Sequence, residues 1–219
     1  MQEEALYFHP APDENGDPVP VFSPIVGSAP EAWLKSDDAA TWSVTHPGIL
    51  PERLNGIPFT HEKLGEADWR ALMKRYRKFP EPEEPESPKR RTSGLVIRES
   101  DGRIWLATNQ FGGVAATFPK GRLEPGLSLV VNAVKEGWEE SGIVAEPQCY
   151  LCDIERTKTI TRYYLARRTA GSPKDAGWES QAVSLVPPHE LLHFLNRPND
   201  RKVLPFIALA LRNHSGETR

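Results

Sequence analysis

The most constraining feature of this sequence is a glycine-rich loop that leads directly into a helix, in residues 118–144 (FPKGRLEPGLSLVVNAVKEGWEESGIV). Ser128 is a good N-cap because its hydroxyl can accept a hydrogen bond from a free amide of the first turn. Gly142 suits the left-handed conformation that commonly ends a helix. The segment therefore predicts a loop–helix unit whose apolar face packs on the rest of the fold through Leu129, Val130, Ala133, Val134 and Trp138.

Segments rich in β-forming residues flank this unit on both sides. Before it, residues 94–98 and 103–108 surround the turn Ser100-Asp101-Gly102, a pattern typical of a β-hairpin. After it, residues 145–168 predict two strands with a break near 156–158, and residues 181–187 predict another. One or two helices are predicted to close the chain from about residue 188. This order predicts an α/β fold, an α/β/α sandwich around a mixed β-sheet.

The N-terminal part of the chain differs in composition. Many of the 21 prolines fall before residue 60, so long helices are not expected there. One amphipathic helix is predicted later, from apolar residues at helical spacing: Trp69, Leu72, Met73 and Tyr76. PEPEEPESP at residues 80–88 predicts an extended connector. The predicted units are a proline-rich N-terminal extension of unknown role (1–80), a charged linker (81–91) and a main domain (92–214).

The net charge and the distribution of apolar residues limit the kinds of partner that this chain is expected to bind. Lys and Arg number 27 against 30 Asp and Glu, a net charge of −3, so we do not expect nucleic acid as a partner. No stretch approaches the roughly 20 apolar residues of a membrane span, and the acidic start is unlike a secretory signal. We expect a soluble cytoplasmic protein.

Cys149 and Cys152 form a lone CxxC pair, which we interpret as ordinary thiols on or beside a strand.

Three carboxylates share one face of the predicted helix. Glu136, Glu139 and Glu140 stand at i, i+3 and i+4, where side chains are neighbours. They repel one another and oppose the helix dipole near the C-terminus, so helix stability does not account for them. A hard divalent cation such as Mg²⁺ or Mn²⁺ would resolve the repulsion and bridge to substrate phosphates.

The stretch from Gly121 to Ile143 resembles the Nudix box, G-x5-E-x7-R-E-U-x-E-E-x-G-U, where U is aliphatic. The positions that match at the required spacing are Gly121, Glu136, Glu139, Glu140, Gly142 and Ile143. Leu127 replaces the first glutamate, Lys135 the arginine and Gly137 the first U. In the family that glutamate and that arginine support each other, so we interpret their joint loss as a correlated change in the scaffold.

The resemblance implies a site and a Nudix-type fold for the main domain. The metal ligands that it implies are Glu136, Glu140, Glu139 and the backbone carbonyl of Lys120, holding Mg²⁺ or Mn²⁺. The catalytic residues that it implies are Glu139, Glu140 and Glu179. Glu139 or Glu179 would act as the base toward water, and Asp175 is the second candidate from the same later loop.

Residues 158–171, 178–195 and 199–201 resemble the polyphosphate-acting members of the family, whose box opens with PKG. The resemblance implies hydrolysis of a pyrophosphate bond in a nucleoside polyphosphate or a nucleoside diphosphate-linked compound, above all a dinucleoside polyphosphate. The substrate-binding residues predicted are Lys120, Arg122, Lys158 and Phe118, with Phe111 and Tyr163 as further rings that could stack a base. A homodimer is one possible assembly.

Two other functions remain open on the sequence. A catalytically weak Nudix domain that senses a nucleotide or binds a partner is favoured by Leu127 and Lys135 and opposed by the intact glutamates. A pyrophosphohydrolase acting on diphosphoinositol polyphosphates or on RNA 5′ ends is the other alternative. The basic clusters at 70–78 and 89–91 favour RNA, whereas the acidic linker between them opposes it.

Overall fold

The computed structural model describes residues 7–21, 24–109 and 115–215. Within these ranges the elements are β1 (Tyr7–Phe8), β2 (Pro20–Val21), α1 (Pro30–Leu34), β3 (Ala40–Ser43), β4 (Arg53–Leu54), β5 (Ile57–Pro58), α2 (Glu66–Arg75), β6 (Arg90–Arg98), β7 (Ile104–Asn109), β8 (Ala115–Thr117), β9 (Lys120–Arg122), α3 (Leu129–Ser141), β10 (Ile143–Glu155), β11 (Thr159–Gly171), β12 (Ser180–Val186), α4 (Leu191–Phe194), α5 (Pro198–Arg201) and α6 (Leu204–Ser215). Two 3₁₀ turns lie at Pro173–Asp175 and Pro188–Glu190.

A mixed sheet forms the centre of the molecule, as predicted. Its strand order is β10-β11-β6-β7-β12-β3, with β8 on β7 and β9 on β6. β11 and β6 are parallel, and the neighbouring pairs are antiparallel. The predicted hairpin is β6–β7, in which Ile97 lies opposite Trp105 and Gly102 takes a positive φ of 92° in the turn. The parallel pair at the centre of the sheet supports the box loop, because β9 pairs with β6.

Helices cover both faces of the sheet and confirm the α/β/α prediction. α3 packs on one face, in a cluster that includes Leu95, Ile97, Val130 and Val134. α6 packs on the other face, in a cluster that includes Val96, Leu106, Leu165, Val203 and Ile207. The alternation of strand residues between the two clusters is what a sheet buried on both sides requires. Among the described residues, no helix combines the length and apolarity needed to cross a bilayer.

The N-terminal extension shares this core. β3 pairs with β12 at one edge of the central sheet. Trp33 of α1 is fully buried, with its ring centroid 5.9 Å from that of Trp105. Arg103 is buried in the same region and donates hydrogen bonds to the carbonyl oxygens of Trp33 (2.6 Å) and Ala32 (3.2 Å). The predicted boundary near residue 80 therefore separates segments of different composition, whereas the core extends across it.

A buried ion pair fixes a second part of the extension. Arg168 and Glu99 are both fully buried, and Arg168 Nε donates to Glu99 Oε2 at 2.7 Å. The same guanidinium donates to the carbonyl oxygens of Leu54 (2.9 Å) and Ile57 (3.2 Å) at the β4–β5 turn. A buried pair of this kind is tolerated only when further hydrogen bonds satisfy its remaining groups, and here the extension supplies them.

The charged linker is extended, as predicted, and it is anchored to the sheet. Arg162 of β11 donates to Glu81 Oε2 (3.0 Å) and to the carbonyl oxygens of Pro82 (2.9 Å) and Glu83 (3.2 Å). Tyr164 also donates to Glu81, at 2.5 Å. The linker leads away from α2, the predicted amphipathic helix, whose Trp69 packs on Trp138 of α3 with ring centroids 6.0 Å apart. The extension therefore contacts α3 at Trp138, on the side of the helix that faces away from the sheet.

Candidate active site

Helix α3 carries the carboxylates of the site. The helix begins after Ser128 and ends at Gly142, whose φ of 69° is left-handed, so both predicted ends are confirmed, although the Ser128 side chain makes no capping hydrogen bond. Gly137, which replaces the aliphatic residue of the box, lies against the sheet. A Cβ added there would come within 2.8 Å of Leu95 Cδ1, so the glycine permits close contact between α3 and β6. The helix dipole at this end makes the glutamates before Gly142 electrostatically unfavourable unless a cation joins them.

Glu140 is the most deeply buried of these carboxylates, at 4% exposed. Its Oε2 accepts a hydrogen bond from the Lys120 backbone amide at 3.0 Å, and its Oε1 accepts one from Asn109 Nδ2 at 3.3 Å. Burial raises the pKa of Glu140 to about 7, against the opposing effects of the Lys120 charge and these hydrogen bonds. The box loop and the helix are thus joined directly at a predicted metal ligand.

Glu136 lies against the box glycine. A Cβ on Gly121 would collide with both carboxylate oxygens of Glu136, so a larger residue there would force this carboxylate to move. Burial, followed by the nearby charges of Glu140 and Glu139, raises the pKa of Glu136 to about 8. The side chain is therefore held where its negative charge is costly, which is the condition that a bound cation relieves.

Lys135 joins the loop to the helix where the family uses an arginine. Its Nζ donates to Glu124 Oε1 (2.5 Å) and to Glu139 Oε1 (2.7 Å). Leu127, at the position of the first box glutamate, packs instead against the apolar cluster under α3. The loop–helix ion pair is therefore present, with its acidic partner three residues earlier in the loop.

The donor set suits a hard cation. One carboxylate oxygen from each of Glu124, Glu136 and Glu139 lies within 4.8 Å of the others. Carboxylate oxygens are the ligands that Mg²⁺ and Mn²⁺ prefer. Glu124 is not among the predicted ligands, because the box pattern leaves its position unspecified and its loop gives no periodic signal.

A cleft of about 520 Å³ opens onto these carboxylates. Its lining comprises Glu14, Glu124, Lys135, Glu136, Trp138, Glu139, Glu140, Asp175, Gly177, Trp178 and Glu179. The loop before β12 is fixed to the helix by the Gly177 amide, which donates to the Glu139 carbonyl oxygen at 2.6 Å. Both base candidates from that loop, Glu179 and Asp175, therefore lie at the cleft together with the box glutamates. Partial burial and the charges of Glu139 and Glu14 raise the pKa of Glu179.

The extension contributes directly to the site. Glu14 lines the cleft from the loop between β1 and β2. His61 Nδ1 lies 2.7 Å from Asp175 Oδ1. The sequence offered no signal for either placement, since both depend on contacts between segments more than 100 residues apart.

The predicted substrate-binding residues lie in different places. Phe118 is fully buried with its ring centroid 5.9 Å from that of Tyr163, in the cluster beneath α6, so neither ring faces the cleft. This corrects the expectation that they stack a base: the pattern of a phenylalanine in the box loop does not reveal which face of the sheet it occupies. Arg122 and Lys158 are exposed outside the cleft lining. Phe111 lies outside the described residues.

The backbone and the side chain of Lys120 lie in different environments. Its backbone amide contacts Glu140, as described above, whereas its Nζ donates to Thr117 Oγ1 at 2.6 Å. The aromatic groups found at the cleft are instead Trp138 and Trp178. Cys149 and Cys152 are free thiols in β10.

The NUDIX domain family model matches residues 88–207, more than half of the chain. The chain belongs to the Nudix hydrolase family. The match includes the whole of α3 and its loop, so the resemblance drawn from Gly121–Ile143 is confirmed. Leu127, Lys135 and Gly137 are therefore departures within a genuine Nudix domain, and each has a structural counterpart described above.

A curated relative is the 8-oxo-dGDP phosphatase NUDT18 of Mus musculus, 40% identical over 90 residues. That match covers 35% of this chain and 28% of the relative, so the chain spans less than a third of that protein's length. Similar solved structures include an Ap4A hydrolase binary complex of C. elegans (20% identity, TM-score 0.46, covering 57% of this chain and 98% of that one). Another is an ADP-ribose pyrophosphatase of Streptococcus suis (19% identity, TM-score 0.49, covering 56% and 92%).

Proposed function

We propose that this Nudix domain hydrolyses a pyrophosphate bond in a nucleoside diphosphate-linked compound or a dinucleoside polyphosphate, with a divalent cation. The observation that carries the proposal is the convergence of the α3 carboxylates on one cleft, where burial raises the pKa of Glu136 to about 8 and that of Glu140 to about 7. Carboxylates held at this energetic cost favour the approach of a cation.

The residues proposed to hold the cation are Glu136, Glu140, Glu139, Glu124 and the carbonyl of Lys120. When bound, Mg²⁺ or Mn²⁺ supplies charge neutralisation at the phosphate oxygens. The Gly121 backbone leaves the space in which Glu136 sits, and the Lys120 amide orients Glu140. Preorganised groups of this kind contribute to catalysis because they need no rearrangement as charge develops.

Glu179 is the proposed base that takes the proton from the attacking water. Glu139, the alternative, is already engaged by Lys135 at 2.7 Å. Glu179 lines the same cleft from the loop before β12, and its raised pKa makes its carboxylate a stronger base than an ordinary glutamate. Asp175, held by His61, remains the second candidate.

The cleft and the relative both support the proposed substrate class. Trp138 and Trp178 line the cleft together with the carboxylates, and their indoles offer surfaces for a nucleobase. Because the relative is named 8-oxo-dGDP phosphatase, nucleoside diphosphates belong with dinucleoside polyphosphates among the compounds to test.

The test is product analysis with a panel of diphosphates, run with Mg²⁺ or Mn²⁺ and after chelation. The panel contains 8-oxo-dGDP, ADP-ribose, dinucleoside polyphosphates and a diphosphoinositol polyphosphate. We expect metal-dependent products from the wild-type protein and none from Glu140→Gln. Arg122→Gln, outside the cleft, is the control and should retain activity within about twofold. Metal binding and nucleotide-induced stabilisation without any product would contradict hydrolysis and support the nucleotide-sensing alternative.

A further inference from the structure

A second cleft adjoins the cleft over the α3 carboxylates, which is called the first cleft from here on. It is lined by residues 50–52 and 59–61 of the N-terminal extension and by Ser172, Lys174 and Asp175, which follow β11. Its volume of about 360 Å³ is large enough for a small ligand. Because Asp175 lines both clefts, the second begins at the wall of the first.

Lys174 supplies a positive charge to the second cleft. Its side chain is exposed, and its Nζ lies 5.3 Å from the centroid of the Trp42 ring. It forms no ion pair with any carboxylate in the described part of the chain. In the first cleft, by contrast, Lys135 is already engaged by Glu124 and Glu139. A phosphate chain that extends out of the first cleft past Asp175 would therefore find an available cation at Lys174.

Two hydroxyl groups of the second cleft can also donate to a ligand. Thr60 Oγ1 accepts a hydrogen bond from the Gly171 amide, and Ser172 Oγ accepts one from the Lys174 amide, both at 3.3 Å. A lone pair of each hydroxyl is thereby used on the backbone, while no described residue accepts the hydroxyl hydrogen. Both hydrogens are therefore available to acceptors such as phosphate oxygens.

The rest of the lining suits a nucleoside. Leu50, Pro51 and Phe59 supply apolar surface for a base, and Phe59 is fixed by its edge contact with Trp105, with ring centroids 6.4 Å apart. Glu52 is exposed beside them. Carboxylates accept hydrogen bonds from ribose hydroxyls in dinucleotide-binding folds. The second cleft thus offers surfaces for a base and a ribose together with donors for phosphate.

We propose that the second cleft binds the second nucleotide end of a dinucleoside polyphosphate, whose phosphate chain runs from the α3 carboxylates past Asp175 to Lys174. This inference rests on the proposed function and narrows its substrate class. The Asp175 carboxylate at the boundary is engaged by His61, whose Nδ1 lies 2.7 Å from Asp175 Oδ1. A nucleoside diphosphate has one nucleoside end and would occupy the first cleft alone. The sequence gives no signal for the second cleft, because it joins segments more than 100 residues apart.

The experiment measures the Kd of two hydrolysis-resistant analogues by calorimetry in the presence of Mg²⁺. One is a dinucleoside tetraphosphate and the other a nucleoside diphosphate, both with methylene bridges between the phosphates and both in an adenine and a guanine series. The variants are Lys174→Met, which removes the charge, Lys174→Arg, which keeps it, and Leu50→Ala, which reduces the apolar surface. Lys78→Met, at an exposed lysine of the extension that lines neither cleft, is the matched control.

We expect the wild-type protein to bind the dinucleoside analogue about tenfold more tightly than the diphosphate analogue. Lys174→Met should raise the Kd of the dinucleoside analogue about tenfold, the effect of one charge-assisted hydrogen bond, and leave the Kd of the diphosphate analogue within about twofold. Leu50→Ala should weaken binding of the dinucleoside analogue alone, by about threefold. Lys174→Arg and Lys78→Met should match the wild type. The Kd of the diphosphate analogue also shows that each variant is folded.

Equal Kd values for the two analogues in the wild-type protein overturn the inference. A Lys174→Met protein that keeps the wild-type preference, or that binds both analogues equally more weakly, also overturns it. Metal-dependent cleavage of nucleoside diphosphates without any preference for the dinucleoside analogue would overturn the second cleft alone. Binding of the dinucleoside analogue through Lys174, with no compound of the panel cleaved, would overturn the proposed hydrolysis and leave the second cleft supported.

Discussion

Glu136 combines a functional position with an energetic cost. Its carboxylate lies against Gly121 and near the charges of Glu139 and Glu140, and its pKa is raised to about 8. In the unfolded chain the same group has an ordinary pKa near 4.5. The folded state therefore binds the proton more tightly, so the group destabilises the metal-free protein increasingly as the pH rises from about 4.5 to 8.

We expect Glu136→Gln to stabilise the metal-free protein at pH 8 by at least ~1 kcal/mol, which corresponds to a rise in Tm of about 2–4 °C. The difference should vanish near pH 4.5, and turnover with Mg²⁺ should fall by ~100-fold or more. Thermal denaturation at both pH values, with chelator, tests this. Glu62→Gln, on a part of the extension outside the cleft lining, is the control. Equal Tm values for Glu136→Gln and wild type at pH 8 would contradict the expectation.

Leu127 carries the second residue-scale prediction. Because its side chain packs against the apolar cluster and Glu124 already pairs with Lys135, restoring the family's glutamate does not restore a missing contact. Leu127→Glu should lower stability by about 1–3 kcal/mol, the cost of placing a charge among apolar groups, and should not raise kcat/KM. Lys135→Arg, which keeps the charge, serves as the comparison and should remain within ~1 kcal/mol of wild type. Increased activity of Leu127→Glu would show that the box requires its own glutamate.

At the scale of elements, the linker depends on Arg162 for its position. The guanidinium bonds simultaneously with Glu81, Pro82 and Glu83 from one side and with Asp153 on the other. A lysine cannot replace this fork of donors. The extended segment is therefore held by side chains of the sheet, above all Arg162, with further contacts from Tyr164 to Glu81 and from Arg91 to Glu84.

Arg162→Lys should expose the linker to a glutamate-specific protease, with cleavage at least ~10-fold faster well below Tm, because cleavage follows the population of the open segment. Arg167→Lys, on the same strand but pairing with Glu146 at the surface, is the matched control and should leave the rate unchanged. Cleavage that is equally slow in both variants would mean that other contacts hold the linker.

The elements that the sequence revealed are those with local signals. Ser128 and Gly142 marked both ends of α3, and Gly102 marked the β6–β7 turn. What it did not reveal depends on long-range packing: Phe118 faces the core beneath α6, and Glu14 reaches the cleft from a loop 122 residues before Glu136. A period or a cap is encoded by neighbouring residues, whereas the side of the sheet on which a loop residue lies is set only when the whole sheet forms.

For the molecule as a whole, stability depends on how the extension joins the sheet. His9 follows β1 and is 7% exposed, and burial lowers its pKa below the ordinary value of 6.5. The unfolded chain therefore takes up a proton first as the pH falls. The contribution of His9 to the stability of the folded protein is complete above pH 6.5 and is lost progressively below that pH.

We expect the wild-type Tm to fall between pH 7.5 and pH 5.5, and His9→Asn to make this fall smaller by about 2 °C or more. His189→Asn is the matched control, because the His189 side chain is 63% exposed and its loss should leave the wild-type slope. Thermal denaturation of the three proteins at both pH values provides the measurement. An identical slope in His9→Asn and His189→Asn would show that His9 does not couple the extension to pH.

The pairing of β3 with β12 also sets an order for biosynthesis. Ser43 lies opposite Ala182, so this edge of the sheet cannot close until β12 has left the ribosome. Trp33, completely enclosed in the finished protein, packs on Trp105, so its ring stays exposed at least until β7 has been made. Contacts this distant in sequence slow folding and leave apolar surface open to aggregation. β3 is thus translated long before the strand with which it pairs, and a cell making this protein must protect the segment around it until β12 has been made.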